Sequence, residues 1–381
     1  MRKAVKVEAG ASAAKISKSL ILKKNDMSYL PQELLFNILV RLPADKVYEF
    51  RRVCRSWYTL IHDPFFIKSH LERSKPGFIV KQGFVNKNVL GSCNGLVLLK
   101  GKKKQSSLSV ANLITKQRVN IPSTTSDHHD YLDYSYGFTY VPEAGTFKLV
   151  HLVDDRWTVT FEVLSLGCFG GHKWRCVNGS SISLNSENDK WQFRNQHPIS
   201  INGIVHFAGV RLVQPSSIHI VSFDAGAEVV QKIRVPIHDD KECNTFIELG
   251  GMLSMVQNSN TNNTYSVWIL KDWLKGSWEK QYMFSISKPS IKATVHWSDS
   301  SSIIDVRSSF SRKGRKIIIF ERRSFSSTPS HIAYDLESSE EYELQFDIRQ
   351  HSTAFFTHVN SLFSPKLCYN WVHLSSQRLF S

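Results

Sequence analysis

The chain has 381 residues, 41% hydrophobic and 12% aromatic, a folded protein's composition that excludes a disordered or fibrous chain. With 48 Lys and Arg against 33 Asp and Glu, its formal charge is +15, so part of the surface favours acidic partners. The 6 cysteines form no CxxC pair, which argues against a disulfide framework and for reduced thiols inside a cell. No apolar run suits a signal peptide and none reaches the roughly 20 residues of a membrane helix, so a soluble intracellular protein is expected.

Residues 1–27 carry Arg2, Lys3, Lys6, Lys15, Lys18, Lys23 and Lys24 among Ala and Ser, which reads as a solvated basic arm. From Leu30 the pattern turns helical, in Leu30-Pro31-Gln32-Glu33-Leu34-Leu35-Phe36-Asn37-Ile38-Leu39. Pro31 suits a first helical position, where its missing N–H costs nothing, and Glu33 then complements the helix dipole. Leu34 and Ile38 lie four residues apart, with Leu35 and Leu39 beside them, so the helix has a broad apolar surface. Pro43 closes this helix and permits another, and Asp63-Pro64 repeats the device as N-cap and first-turn proline. Three or four short helices cannot bury that much apolar surface among themselves. The surplus is expected to pack against something else.

This stretch resembles an F-box. The resemblance rests on Leu30-Pro31, Leu34, Ile38, Leu42-Pro43, Val53-Cys54, Trp57, Leu60-Ile61, Asp63-Pro64-Phe65-Phe66 and His70-Leu71. One part departs: plant members usually read Lys-Ser-Leu-Leu-Arg where this chain has Asp45-Lys46-Val47-Tyr48-Glu49. The resemblance implies a module over residues 28–74 that docks on a Skp-type adaptor and, through it, on a cullin ubiquitin ligase. Its implied contact residues are Leu30, Pro31, Leu34, Ile38, Leu42, Pro43, Val53, Cys54, Trp57 and Leu60.

Lys75-Pro76-Gly77 reads as a linker over residues 75–80, because Pro and Gly punctuate regular structure. Beyond it, short apolar alternations broken by Gly, Asn, Asp, Pro and Ser carry the strand-and-turn signature. A unit of strand, turn and second strand recurs at 108–121, 136–150, 161–177, 218–235, 265–284 and 331–344, with irregular spacing. Two such hairpins per four-stranded blade suit a propeller, whose closed ring also disposes of sheet edges. Eight of the 9 tryptophans, all but Trp57, lie beyond residue 150 and are expected to fill space between sheets.

Residues 81–375 resemble the plant F-box-associated domain. The likeness is carried by Ser92-Cys93-Asn94-Gly95-Leu96, Tyr136-Gly137-Phe138, Phe147-Lys148-Leu149-Val150, Ile201-Asn202-Gly203-Ile204-Val205-His206-Phe207, Ser222-Phe223-Asp224 and Trp268-Ile269-Leu270-Lys271. It implies a kelch-related, propeller-type domain that recruits substrates. Asn112-Leu113-Ile114-Thr115 stands where the family usually has Asn-Pro-x-Thr, so that turn lacks a fixed φ. The expected fold class is thus a small all-α F-box module followed by an all-β, propeller-like domain.

Catalytic signatures are not evident: there is no Gly-x-Ser-x-Gly, no Gly-rich phosphate loop and no His-Glu-x-x-His. His128-His129-Asp130 beside Asp127 is the densest set of hard ligands, but adjacent loop side chains rarely converge on one ion. Cys168 and Cys176 with His172 between them read as opposed hairpin positions, and the basic segments 100–104 and 312–316 as turn tips. No cofactor, no metal and no catalysis is expected. The expected role is the substrate receptor of an SCF-type ubiquitin ligase, with a Skp-type adaptor, a cullin and a target protein as partners. A carbohydrate- or small-ligand sensor tethered to an F-box stays open, as does a basic nucleic-acid-associated protein.

Overall fold

Pro31, Pro43 and Pro64, with a turn at residues 51–54, divide the N-terminal stretch into four helices: α1 (Gln32–Leu39), α2 (Ala44–Phe50), α3 (Arg55–His62) and α4 (Pro64–Arg73). The computed structural model describes residues 30–81, 87–101, 107–124, 135–154, 158–166, 173–178, 182–183, 191–192, 197–211, 217–236, 243–259, 264–286, 303–312, 315–324, 327–344 and 354–366. The basic arm, Lys102-Lys103-Lys104, the 127–130 cluster, Cys168 and His172 lie outside them. Pro31 stands one residue earlier than expected, at the N-cap, where its carbonyl accepts the amides of Leu34 and Leu35 at 2.9 and 3.1 Å. Asp63 caps α4 as expected, accepting the amides of Phe65 and Phe66 at 2.8 and 3.2 Å, with Pro64 next in line.

The expected linker is a strand. Pro76–Lys81 pairs antiparallel with Ala354–Val359, so Phe78-Ile79-Val80 continues straight into the β-domain. Pro76 is the strand's first residue, a place where a missing donor is tolerated.

The rest of the chain forms five antiparallel sheets in chain order: blade 1 (87–120), blade 2 (136–183), blade 3 (191–234), blade 4 (243–285) and blade 5 (303–344). The outer strand of blade 2 is split, since Arg175–Cys176 and Ile182–Ser183 both pair with Thr158–Ser165. The inner strands follow one another round a ring, and Ala354–Val359 takes its place between those of blades 5 and 1. The domain is therefore a propeller of five blades closed by a two-stranded sheet from its two ends. Among the described residues no helix is long and apolar enough to cross a membrane.

This topology explains the irregular repeat. The units at 108–121, 161–177, 218–235, 265–284 and 331–344 are the outer hairpins of five successive blades, whereas 136–150 is the inner hairpin of blade 2. Four of these outer hairpins share a turn. Asn112, Asp224, Asp272 and Asp335 each end a strand and accept two backbone amides of the following turn at 2.7–3.5 Å. The residue four places on then takes a positive φ: Lys116 at 60°, Glu228 at 60°, Gly276 at 65° and Ser339 at 58°. The side-chain oxygen thus does locally what the family's proline would have done at 113.

Apolar residues fill the gaps between blades: Phe161, Phe207 and Phe223 between blades 2 and 3, and Tyr265, Phe320 and Tyr334 between 4 and 5. Trp174 is buried and Trp268, Trp273 and Trp278 are half-buried at blade contacts. Two indoles also bond across: Trp174 Nε1 donates to the Pro122 carbonyl at 2.9 Å and Trp278 Nε1 to that of Arg234 at 3.2 Å.

Closure of the ring is polar as well as apolar. The buried Asn112 amide donates to the carbonyls of Ser361 and Phe363 at 2.9 and 2.7 Å, tying blade 1 to the segment after the last strand. Ser361 Oγ donates to the Asn94 carbonyl at 2.9 Å. Its neighbour Gly95 has φ 81°, and a Cβ there would lie 2.0 Å from Ser361 Oγ. Glycine is required at that position. His358 Nδ1 lies 2.8 Å from Ser92 Oγ, and burial pushes its imidazole down to about 4, so it is neutral at pH 7. Asn112→Ala would strand two buried carbonyls and loosen the turn. A loss on the order of 2–4 kcal/mol is expected in urea denaturation of the full chain, and a loss under about 0.5 would contradict this closure.

Candidate functional site

Two pairs of adjacent apolar positions in α1 divide between two directions. Leu35 and Leu39 are buried, while Leu34 and Ile38, one helical turn apart, are half exposed. The inward set continues with Val40, Val47, Leu60, Ile61, Phe66 and Ile67, none more than 3% exposed. These residues join Leu96, Leu98, Val110, Phe147 and Phe363 of the propeller in one core. The apolar surface thus goes two ways: one part is buried in a core shared with the propeller, and another remains outside.

The outward set consists of Leu30, Leu34, Ile38, Val53 and Tyr58, exposed by 48–53%. Pro31, Pro43 and Cys54 are exposed beside them in the chain, and Leu42 and Trp57 are half-buried. Leu60 is the correction. It is 3% exposed and belongs to the inner core, so it cannot present its side chain to a partner. The α3 turn brings position 60 inward while position 58 points out. Tyr58 was not singled out in the sequence, although it falls four residues after Cys54, on the same side of α3. Its ring stacks on His62, with centroids 4.0 Å apart at 27°.

Second contacts stiffen this surface. The ring of Trp57 meets that of Phe50 edge-on at 5.7 Å. His70 Nε2 lies 2.8 Å from the Leu42 carbonyl, which pins the α1–α2 turn and Pro43 to α4. Burial lowers the His70 pKa, so this imidazole stays neutral. Exposed Arg41, Arg52 and Arg55 flank the apolar residues in the chain. The arrangement offers an apolar contact with charged neighbours of both signs, since Glu33 is exposed beside Leu34.

The buried titratable groups read as structural. His151 Nδ1 lies 3.1 Å from Glu162 Oε2 inside blade 2, covered by the Tyr136 ring at 4.4 Å. His206 pairs with Ser222 Oγ at 2.7 Å in blade 3. Among the described residues no three His, Cys, Asp or Glu side chains are grouped to hold a metal ion.

Residues 65–359 match the family described as the F-box associated beta propeller domain, and residues 27–73 match the F-box-like family. The chain belongs to the F-box associated β-propeller family. Its relatives in Arabidopsis thaliana include F-box protein At1g30790, 24% identical over 318 residues, covering 68% of this chain and 76% of the relative. F-box/kelch-repeat protein At3g23880 is 28% identical over 296 residues, covering 66% and 78%. F-box protein CPR1 is 25% identical over 327 residues, covering 69% and 74%. Among solved structures, TolB from Acinetobacter baumannii aligns with a TM-score of 0.40 at 12% identity, covering 71% of this chain and 57% of TolB. The family thus accounts for both halves: a plant-type F-box on four helices and a propeller behind it.

The division of α1 is directly testable. Leu34→Ala with Ile38→Ala should leave the stability of the isolated chain within about 0.5 kcal/mol, as for surface substitutions. Leu39→Ala should cost about 2–5 kcal/mol, as for a buried leucine. Equal losses in chemical denaturation would contradict the two-sided helix.

Proposed function

We propose that this F-box protein is the substrate-recognition subunit of an SCF-type ubiquitin ligase. The outer surface of α1 to α3 holds a Skp-type adaptor and through it a cullin, while the propeller recruits a target protein. One observation carries the proposal. The helical module buries one apolar side in a core shared with its propeller and leaves other apolar side chains half exposed at positions where the F-box pattern has its contacts. The contact set is then Leu30, Pro31, Leu34, Ile38, Pro43, Val53 and Cys54, with Tyr58 added, Leu42 and Trp57 at the edge, and Leu60 removed.

The mechanism is positioning. The chain raises the effective concentration of target lysines near a charged conjugating enzyme, and no covalent step falls to its own side chains. The helices meet blade 1 at its 113–117 turn, which supports placing the target on the opposite rim of the ring. The glycan-sensor and nucleic-acid alternatives have no supporting observation among the described residues.

Truncating central apolar residues of an interface costs roughly 2 kcal/mol or more, about thirtyfold in affinity. Leu30→Ala with Pro31→Ala is therefore expected to abolish capture of a purified Skp-type adaptor while the circular dichroism of the propeller is unchanged. Undiminished capture by this folded double variant would overturn the assignment.

A further inference from the structure

We propose that the segment departing from the F-box pattern, Asp45-Lys46-Val47-Tyr48-Glu49, docks the helical module on the propeller, with Tyr48 as the positioning residue. The docking stands on intramolecular contacts; only its consequence for ubiquitin transfer rests on the function proposed above. Within α2, Val47 is fully buried and Tyr48 is half-buried, while Asp45, Lys46 and Glu49 are exposed. The exposed three pair among themselves, Lys46 Nζ lying 3.4 Å from Glu49 and 4.0 Å from Asp45. Val47 is buried in the core shared with the propeller, and Tyr48 packs against that core.

Tyr48 Oη donates a hydrogen bond of 3.0 Å to the carbonyl of Thr115, in the outer turn of blade 1. Its ring packs on the same core that Ile114 and Val119 of that blade border. On the other side the Arg51 guanidinium lies 3.3 Å from the ring centroid and donates to the Tyr48 carbonyl at 3.4 Å. Where the family usually has leucine, an aliphatic side chain would offer no hydroxyl to this carbonyl. A departure from the F-box pattern is a contact with the chain's own second domain.

The acceptor is firmly held. The Thr115 amide donates to Asn112 Oδ1 at 3.0 Å, and the Asn112 amide in turn holds the carbonyls of Ser361 and Phe363. Tyr48 therefore grips the seam where the ring closes, where bonds join the two ends of the propeller. The consequence is a fixed angle between the adaptor-facing surface and the target-facing rim, and that angle decides which target lysines come within reach.

Hydrogen exchange on the full chain, free and bound to a purified Skp-type adaptor, tests this with Tyr48→Phe and Tyr48→Ala. Loss of the hydroxyl should speed exchange of α2 and of the 113–117 turn about two- to tenfold, and more for alanine. The adaptor dissociation constant should stay within about twofold, since this side chain faces away from the adaptor surface, unlike the interface residues whose truncation is costly. X-ray scattering of the complex should change from one orientation of the two domains to a spread of them. Unchanged exchange in both variants would overturn the proposal. So would a tenfold weaker adaptor affinity, which would make Tyr48 an adaptor contact, or faster exchange spread evenly over all blades, which would make it general fold support. If the wild-type chain fails to bind adaptor, the function above falls, while exchange in the free chain still decides the docking.

Discussion

Everything in this molecule depends on how four short helices dispose of their apolar surface. They carry more of it than they can bury among themselves, and burying one large aliphatic side chain is worth about 1.5–3 kcal/mol. Leu35, Leu39, Val47, Leu60, Ile61 and Phe66 are buried in one core that continues into blade 1. With that side satisfied, Leu30, Leu34, Ile38, Val53 and Tyr58 remain half exposed. A propeller that did not supply the first contact would leave both sides open, and the helices would have no defined outer face to present.

The same blade carries the other global constraint. An open propeller would expose sheet edges at its two ends. Here the strand after the helices pairs with the last strand of the ring, and Asn112 holds the segment beyond it. Helices, first strand and last strand thus converge on blade 1. Tyr48 reaches the turn that Asn112 braces, so attachment of the helices and closure of the ring share one set of hydrogen bonds.

Local signals were legible where local chemistry decides the outcome. Asp63-Pro64 predicted a helix start because capping involves only the next two amides. Four of the outer hairpins were visible because an Asn or Asp closes one strand and shapes the next turn within five residues. Non-local facts were hidden. Pro76-Gly77 looks like a linker until its partner, Ala354–Val359, is placed beside it from the far end of the chain. Likewise α1 shows two adjacent apolar pairs, and only tertiary packing on the other helices and blade 1 decides that Leu35 and Leu39 go in. Leu60 faces inward and Tyr58 outward for the same reason. The unusual 45–49 segment could be seen to differ, but its purpose needed Thr115, which is 67 residues away.

The central claim is that the outward side of the helices, and not the propeller, meets the adaptor. A photo-crosslinking residue placed singly at Ile38, Val53 or Met283 of the full chain, mixed with a purified Skp-type adaptor, tests it most directly. Met283 is the control, an exposed side chain on the outer strand of blade 4. The account predicts crosslinks to the adaptor from positions 38 and 53 and none from 283. A crosslink from 283 alone, or none from either helical position while the proteins still associate, would contradict it.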